Sequence, residues 1–173
     1  MKKHFSARRI AVLGVLLAAA SVTFLIESLV PPLLVFAPYI KIGLANCFVL
    51  FVIVCFGAGD AFFFVIAKNL LTALFAGWFT LWLNLAGSLC AYALMAGLYA
   101  ALFPKAGLLS VSIAGAIVGN IARTSVAVIW METPSLYVQL PFICAFSIAA
   151  GAIVGILTIL SIKHLPERLT MFE

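Results

Sequence analysis

Long apolar runs separated by short polar breaks dominate this chain. Runs near the length that crosses about 30 Å of hydrocarbon fall at 10–30, 40–56, 61–76, 78–103, 107–130 and 136–162. The breaks include Pro31-Pro32, Gly57-Ala58-Gly59-Asp60, Pro104-Lys105 and Met131-Glu132-Thr133-Pro134. The runs are apolar on most sides and do not alternate, which argues against a β-barrel. The pattern predicts an all-α polytopic membrane protein: a six-transmembrane-helix bundle, one integral membrane domain over 1–173. The second and third runs are short and the last three long, so tilt must differ among them.

The first run follows a basic segment and passes Ala18-Ala19-Ala20, which imitates a secretory signal with its cleavage site. It continues apolar to Val30, however, and is expected to remain as a true first helix.

Composition agrees with this class. The chain is 66% hydrophobic and 9% charged, against about 25% charged residues in a soluble domain. The net charge of +5 is topological information and not a nucleic-acid signal. With six spans both termini share a side. Placing them in the cytoplasm puts Lys2, Lys3, Arg8, Arg9, Lys105, Lys163 and Arg168 inside and leaves Lys41 at the outer edge. Tyr39, Trp78, Trp82, Trp130 and Tyr137 then collect on the outer side as an interfacial belt. Cys47, Cys55, Cys90 and Cys144 form no Cys-x-x-Cys pair and read as small buried apolar residues.

Small residues mark packing faces. Ser112, Gly115 and Gly119, and Ser147, Gly151 and Gly155, read as contacts inside the bundle. Ala7, Ala11, Gly14, Ala18 and Ser21 form one stripe along the first span. That stripe fits either internal packing or a separate docked partner.

Ionisable groups in hydrocarbon cost about 2.5–3.5 kcal/mol each on insertion scales, so their placement is informative. Glu27, Lys41, Asn46, Lys68, Asn84, Asn120 and Arg123 all fall in the middle or outer half of the bilayer. The cytoplasmic halves are nearly free of charge. A polar cluster open to one side describes a ligand pocket better than a channel. The stretch 26–46 would supply its lid and part of its wall. The opposing explanation pairs Glu27 with Lys68 or Arg123, lets Lys41 snorkel and has the asparagines bridge helices. Three bases against Glu27 and Glu132 suit a ligand with a carboxylate or phosphate.

Catalytic chemistry is not indicated. There is one Asp, Asp60, and the histidines His4 and His164 lie at opposite ends of the chain. No metal cluster, acid pair or nucleophile–base set follows from these. The absence of a phosphate-binding Gly-x-x-x-x-Gly-Lys-Ser/Thr loop leaves any uphill transport to be driven by a partner or an ion gradient. No enzyme, metal or cofactor is expected.

Ile26-Glu27-Ser28-Leu29-Val30-Pro31-Pro32, Lys41-Ile42-Gly43-Leu44-Ala45-Asn46, Leu85-Ala86-Gly87 and Ser112-Ile113-Ala114-Gly115-Ala116 with Asn120 resemble one bacterial membrane family. It is the Gx transporter family, also called heptaprenyl diphosphate synthase component I. This family is similar to the substrate-binding S-components of energy-coupling factor transporters. The resemblance implies six helices in the bacterial inner membrane, a ligand entering from outside, a membrane coupling protein and a pair of cytoplasmic ATPases. It makes the stripe of Ala7, Ala11, Gly14 and Ala18 a docking face for the coupling protein. The sequence departs from the family pattern where Gly119 stands in place of a His and Arg123 in place of a Gln. Lys68 replaces a base that is often Arg, and these departures leave open whether the ligand is that of relatives. One Asp cannot form the aspartate-rich motifs that hold magnesium diphosphate in prenyl synthases. Two functions remain open: a small-molecule binding subunit of an uptake transporter, or a non-catalytic membrane subunit associated with prenyl diphosphate or quinone synthesis. A plain membrane anchor, its buried charges merely paired, is a third.

Overall fold

The computed structural model describes residues 7–29, 43–103 and 107–164. It contains α1 (Ala7–Leu29), α2 (Ala45–Phe56), α3 (Ala58–Ala76), α4 (Trp78–Leu102), α5 (Leu108–Met131) and α6 (Leu140–Lys163), with a 3-10 segment, Pro134–Gln139, leading into α6. No strand occurs among the described residues. Five of the helical segments are long and apolar enough to cross a membrane. The exception is α2, whose 12 residues span about 18 Å at 1.5 Å per residue. The run at 40–56 is thus helical only from Ala45 among the residues described, and Lys41 and Tyr39 lie outside them.

Two helix joints consist of a single glycine. Gly57 separates α2 from α3 and Gly77 separates α3 from α4. Their φ values are +92° and +82°, with ψ at 167° in both. Only glycine adopts that region without large strain. Helix α5 ends on Glu132 in the left-handed conformation, a common helix stop.

The helices pack in sequence, α3 on α4, α4 on α5 and α5 on α6, and α2 closes the bundle by touching α1, α3, α4 and α6. Seven of the twelve residues of α2 are buried, as expected of a helix apolar on every side. The surface is the reverse of a soluble protein's. Val15, Phe63, Leu74 and Ile129 are each at least 71% exposed, while Lys68, Asn69, Asn120 and Arg123 are buried. Lipid as solvent accounts for both halves of this pattern. Trp78 and Trp82 meet edge to face at 6.0 Å, and Trp82 stacks on Trp130 at 6.5 Å. These rings gather where α4 begins and α5 ends, as an interfacial belt requires.

Close backbone approach holds α4, α5 and α6 together. A Cβ on Gly151 would lie 2.7 Å from Ile113 Cα and 3.0 Å from Ala116 Cβ. Ser112 Oγ donates to the Gly151 carbonyl at 2.8 Å across the same seam. The expected internal role of the two small-residue stripes is seen here, except that Gly115 and Gly119 face Met95, Gly87 and Ala91 of α4. The α1 stripe behaves differently. Ala11, Gly14 and Ala18 are exposed, and nothing lies within 4 Å of a Cβ placed on Gly14. Ser21 is buried and donates to Leu17 O; the side chain of Ala7 is outside the description.

α1 is clipped at one end by polar contacts. Arg9 forms an ion pair with Asp60 and donates to the Phe56 carbonyl at 2.9 Å. One guanidinium thus joins the end of α2 to the start of α3. The sequence reading had assigned Arg9 only a topological role. The cysteines also differ from expectation. Cys90 is exposed on the surface of α4 and the other three are half-buried, because in a lipid-solvated bundle an apolar thiol need not be inside.

Gly151→Ala is expected to destabilise the bundle by about 1–3 kcal/mol, the cost of overpacking a tight seam. Gly97→Ala, where a Cβ meets nothing within 4 Å, is expected to change stability by less than about 1 kcal/mol. Unfolding equilibria of both variants in mixed micelles check the pair.

Candidate functional site

The site forms where α1 ends and α2 begins. Gly43, with φ +79°, turns the chain into α2, and its carbonyl accepts the Asn46 amide at 2.8 Å. The turn directs the Gly43 N–H outward from the helix start, where it donates to Glu27 Oε1 at 2.5 Å. A carboxylate at a helix N-terminus is favoured by the backbone donors and by the helix dipole. Asn46, the second residue of α2, accepts from Lys68 Nζ at 3.1 Å. Lys68 lies eight residues before the end of α3, about 12 Å below it at 1.5 Å per residue.

Arg123 enters from α5. Its Nη1 donates to Asn120 Oδ1 at 3.2 Å, and Asn120 Nδ2 donates to Ser147 Oγ of α6 at 2.8 Å. Asn120 therefore bridges two helices and orients the guanidinium. The other edge of Arg123 lies against α4. A Cβ on Gly87 would sit 3.3 Å from Nε, 3.4 Å from Nη2 and 2.8 Å from the Gly119 carbonyl. Gly87 thus serves the α4–α5 approach and the room for Arg123 at once. Arg123 Nε is buried without a hydrogen-bond partner.

A cavity of about 20 Å³ is lined by Phe24, Glu27, Gly43, Ala45, Asn46, Lys68, Asn69, Asn84, Ser88 and Arg123. A second, of about 10 Å³, shares Gly43, Asn46 and Arg123 and adds Asn120, Ser112 and the glycines of α5. Six of the seven residues expected from the sequence therefore meet; the seventh, Lys41, lies outside the described residues. Of the stretch 26–46, read as the lid and part of the wall, residues 30–42 are likewise outside them. Glu27 makes no close ion pair with either base, since Arg9–Asp60 is the one found among the described residues. It acts on Lys68 and Arg123 through space. The full pairing that would explain the charges away is not what is seen.

The polar cavities differ from the expected pocket in size. Each has room for about one water, not for an organic molecule. Among the described residues, a larger space lies elsewhere. A groove of about 400 Å³ opens between α1, α2 and α6, lined by Leu16, Thr23, Leu44, Cys47, Phe48, Phe51, Leu157 and Ser161. Its polar groups are engaged within the bundle: Thr23 donates to Ala19 O, Ser161 to Leu157 O, and Cys47 Sγ lies 3.2 Å from Thr158 Oγ1. With no convergent polar group to orient a ligand, the groove suits hydrocarbon.

Sequence reasoning passed over Asn69 and Ser88. Ser88 Oγ donates to Asn69 Oδ1 at 3.4 Å, and Asn69 Nδ2 donates to Val65 O at 2.8 Å. Asn69 adjoins Lys68 inside an apolar run, and that was signal enough. Ser88 is too ordinary a membrane-helix residue to stand out.

An apolar exterior, helices of membrane-crossing length and a charged interior together define a polytopic α-helical membrane protein. The family model for heptaprenyl diphosphate synthase component I matches residues 16–160, and the chain belongs to that family. Comparison with curated proteins returns no match.

The three buried charges sum to one positive charge in excess. Lys68→Met removes that excess and is expected to leave stability unchanged or raise it by about 1–3 kcal/mol. Glu27→Gln leaves two bases without their carboxylate and is expected to cost about 3 kcal/mol. Opposite signs in the same unfolding assay are the expected outcome; equal losses would show that the three do not share one electrostatic site.

Proposed function

We propose that this protein is the membrane-embedded substrate-binding subunit, S-component-like, of a small-molecule uptake transporter. Its ligand is a small organic molecule, anionic or amphipathic, captured at the outer side of a bacterial cytoplasmic membrane. It has no catalytic role of its own. One observation carries the reading: Lys68 and Arg123, from two different helices, are buried beside the Glu27 carboxylate in a mostly apolar bundle. Charges so placed are costly in lipid and are characteristic of a substrate path or binding site. With both termini in the cytoplasm, the basic residues at the chain ends lie inside and the charged cavity faces outward.

The partners in this reading are a membrane coupling protein and cytoplasmic ATPases. The exposed face of Ala11, Gly14 and Ala18 on α1 supports it, because small residues permit close approach of another helix. The proposed site holds Glu27, Asn46, Lys68, Asn84, Asn120 and Arg123, and Lys41, outside the described residues, is a further candidate for it.

The family description favours a second reading, a non-catalytic membrane subunit associated with prenyl diphosphate or quinone synthesis. Affinity purification from the native membrane separates the two. Recovery of a coupling protein with ATPases supports uptake; recovery of a soluble prenyl synthase alone supports the second.

Native mass spectrometry of the purified protein should reveal a bound small molecule. Arg123→Ala and Lys68→Ala are each expected to lose it while retaining helical content. Uptake and ligand retention unchanged in both variants would reject the site.

A further inference from the structure

The cavity of about 20 Å³ beside Lys68 gathers hydrogen-bonding capacity that the described residues do not use. Several of the polar side chains around it are engaged. Asn46 accepts from Lys68, and Asn69 accepts from Ser88 and donates to Val65 O. Three others have capacity to spare. The Lys68 ammonium carries three hydrogens and gives one to Asn46 Oδ1, at 3.1 Å. Glu27 accepts from the Gly43 N–H through Oε1, and its other oxygen has no partner among the described residues. Asn84 is only 6% exposed, yet its amide makes no hydrogen bond among the described residues. Unlike Arg123 Nε, these atoms of Glu27 and Asn84 are not sealed off by their neighbours. Both residues line the cavity, and their free atoms open on it.

Unpaired polar groups are costly when buried, and lipid offers them no partner from outside. The cavity is polar and has room for one water. The charges around it narrow what fits, because Lys68 and Arg123 repel a cation and Glu27 repels an anion. A neutral molecule that both donates and accepts suits all three free groups. We propose that Glu27, Lys68 and Asn84 hold one water molecule between them, a water-bridged ion pair inside the bundle. The water accepts from Lys68 Nζ and donates to the free oxygen of Glu27. The Asn84 amide, which can present either its oxygen or its nitrogen, takes a third place. Buried waters ordinarily make about three such bonds to groups that lack other partners. The bridge accounts for a carboxylate that acts on Lys68 without an ion-pair contact. It also gives Asn84 a structural task. Glu27 stands on α1, Lys68 on α3 and Asn84 on α4. Direct packing between α1 and α4 is slight, so the water is a polar link between them. The inference goes beyond the uptake reading and does not depend on it.

Radiolytic hydroxyl labelling of the full chain in phosphatidylcholine nanodiscs, read by mass spectrometry, tests the bridge. Phe24 lines the same cavity and is 6% exposed. Bulk water barely reaches it, and a hydroxyl radical formed from a held water adds to its ring. Phe51, equally buried but on the apolar groove, is the dry control. Phe24 is expected to be labelled in the wild type and Phe51 to stay unlabelled. After rapid mixing into oxygen-18 water, the isotope is expected to appear later in Phe24 than in exposed Tyr137. Asn84→Leu and Lys68→Leu each remove one partner of the water and are expected to lose the Phe24 label while Tyr137 keeps its own. Should Asn84→Leu fail to fold, Lys68→Leu decides, since it removes a buried charge of the sign in excess. A Phe24 label that is absent from the wild type, that changes isotope as fast as Tyr137, or that persists in a folded variant overturns the proposal. Uptake is a separate readout: its failure beside a labelled Phe24 removes the transport reading and leaves the water in place, and uptake with Phe24 unlabelled does the reverse.

Discussion

A guanidinium in the middle of a membrane bundle governs much of this structure. Arg123 cannot shed its charge, so the surrounding helices must accommodate it. Asn120 accepts from one of its nitrogens and transfers the load to Ser147 on α6. Gly87 and Gly119 let α4 and α5 approach closely at the same level. A side chain at Gly87 would strike both the opposing backbone and the guanidinium. The crossing of α4 and α5 and the placement of the charge are thus one constraint with two consequences.

A second polar system sits at the opposite end of α1. Arg9, Asp60 and the Phe56 carbonyl tie α1 to the joint between α2 and α3. That joint turns on Gly57 alone. α1 is therefore held by a hydrogen-bonded charge at each end, with modest packing between. The α4–α5–α6 core, by contrast, has seams closed by close contact at Gly119, Gly151 and Gly155.

The two kinds of space in the bundle are divided as well. Polar side chains surround cavities of water size, whereas the roomy groove beside α2 is almost wholly apolar. The groove exists because α2 is short and lies between α1 and α6.

Membrane character, the helix order and most helix ends were legible in the sequence, because hydrophobic run length and the breakers Gly57, Gly77 and Pro134 act locally. So was the gathering of Glu27, Asn46, Lys68, Asn84, Asn120 and Arg123 at one depth, since depth follows from distance to a span end. Which of them touch was not legible. That Glu27 takes the Gly43 amide in place of a base, that Asn120 faces α6, and that Arg9 pairs with Asp60 depend on helix rotation and crossing. Those are set by close contacts such as Gly87 on Gly119, whose partners are far apart in the chain. Sequence spacing alone determined how deep each polar group lies in the bilayer; only packing decided which way it points, because rotation about a helix axis changes a residue's neighbours without changing its depth.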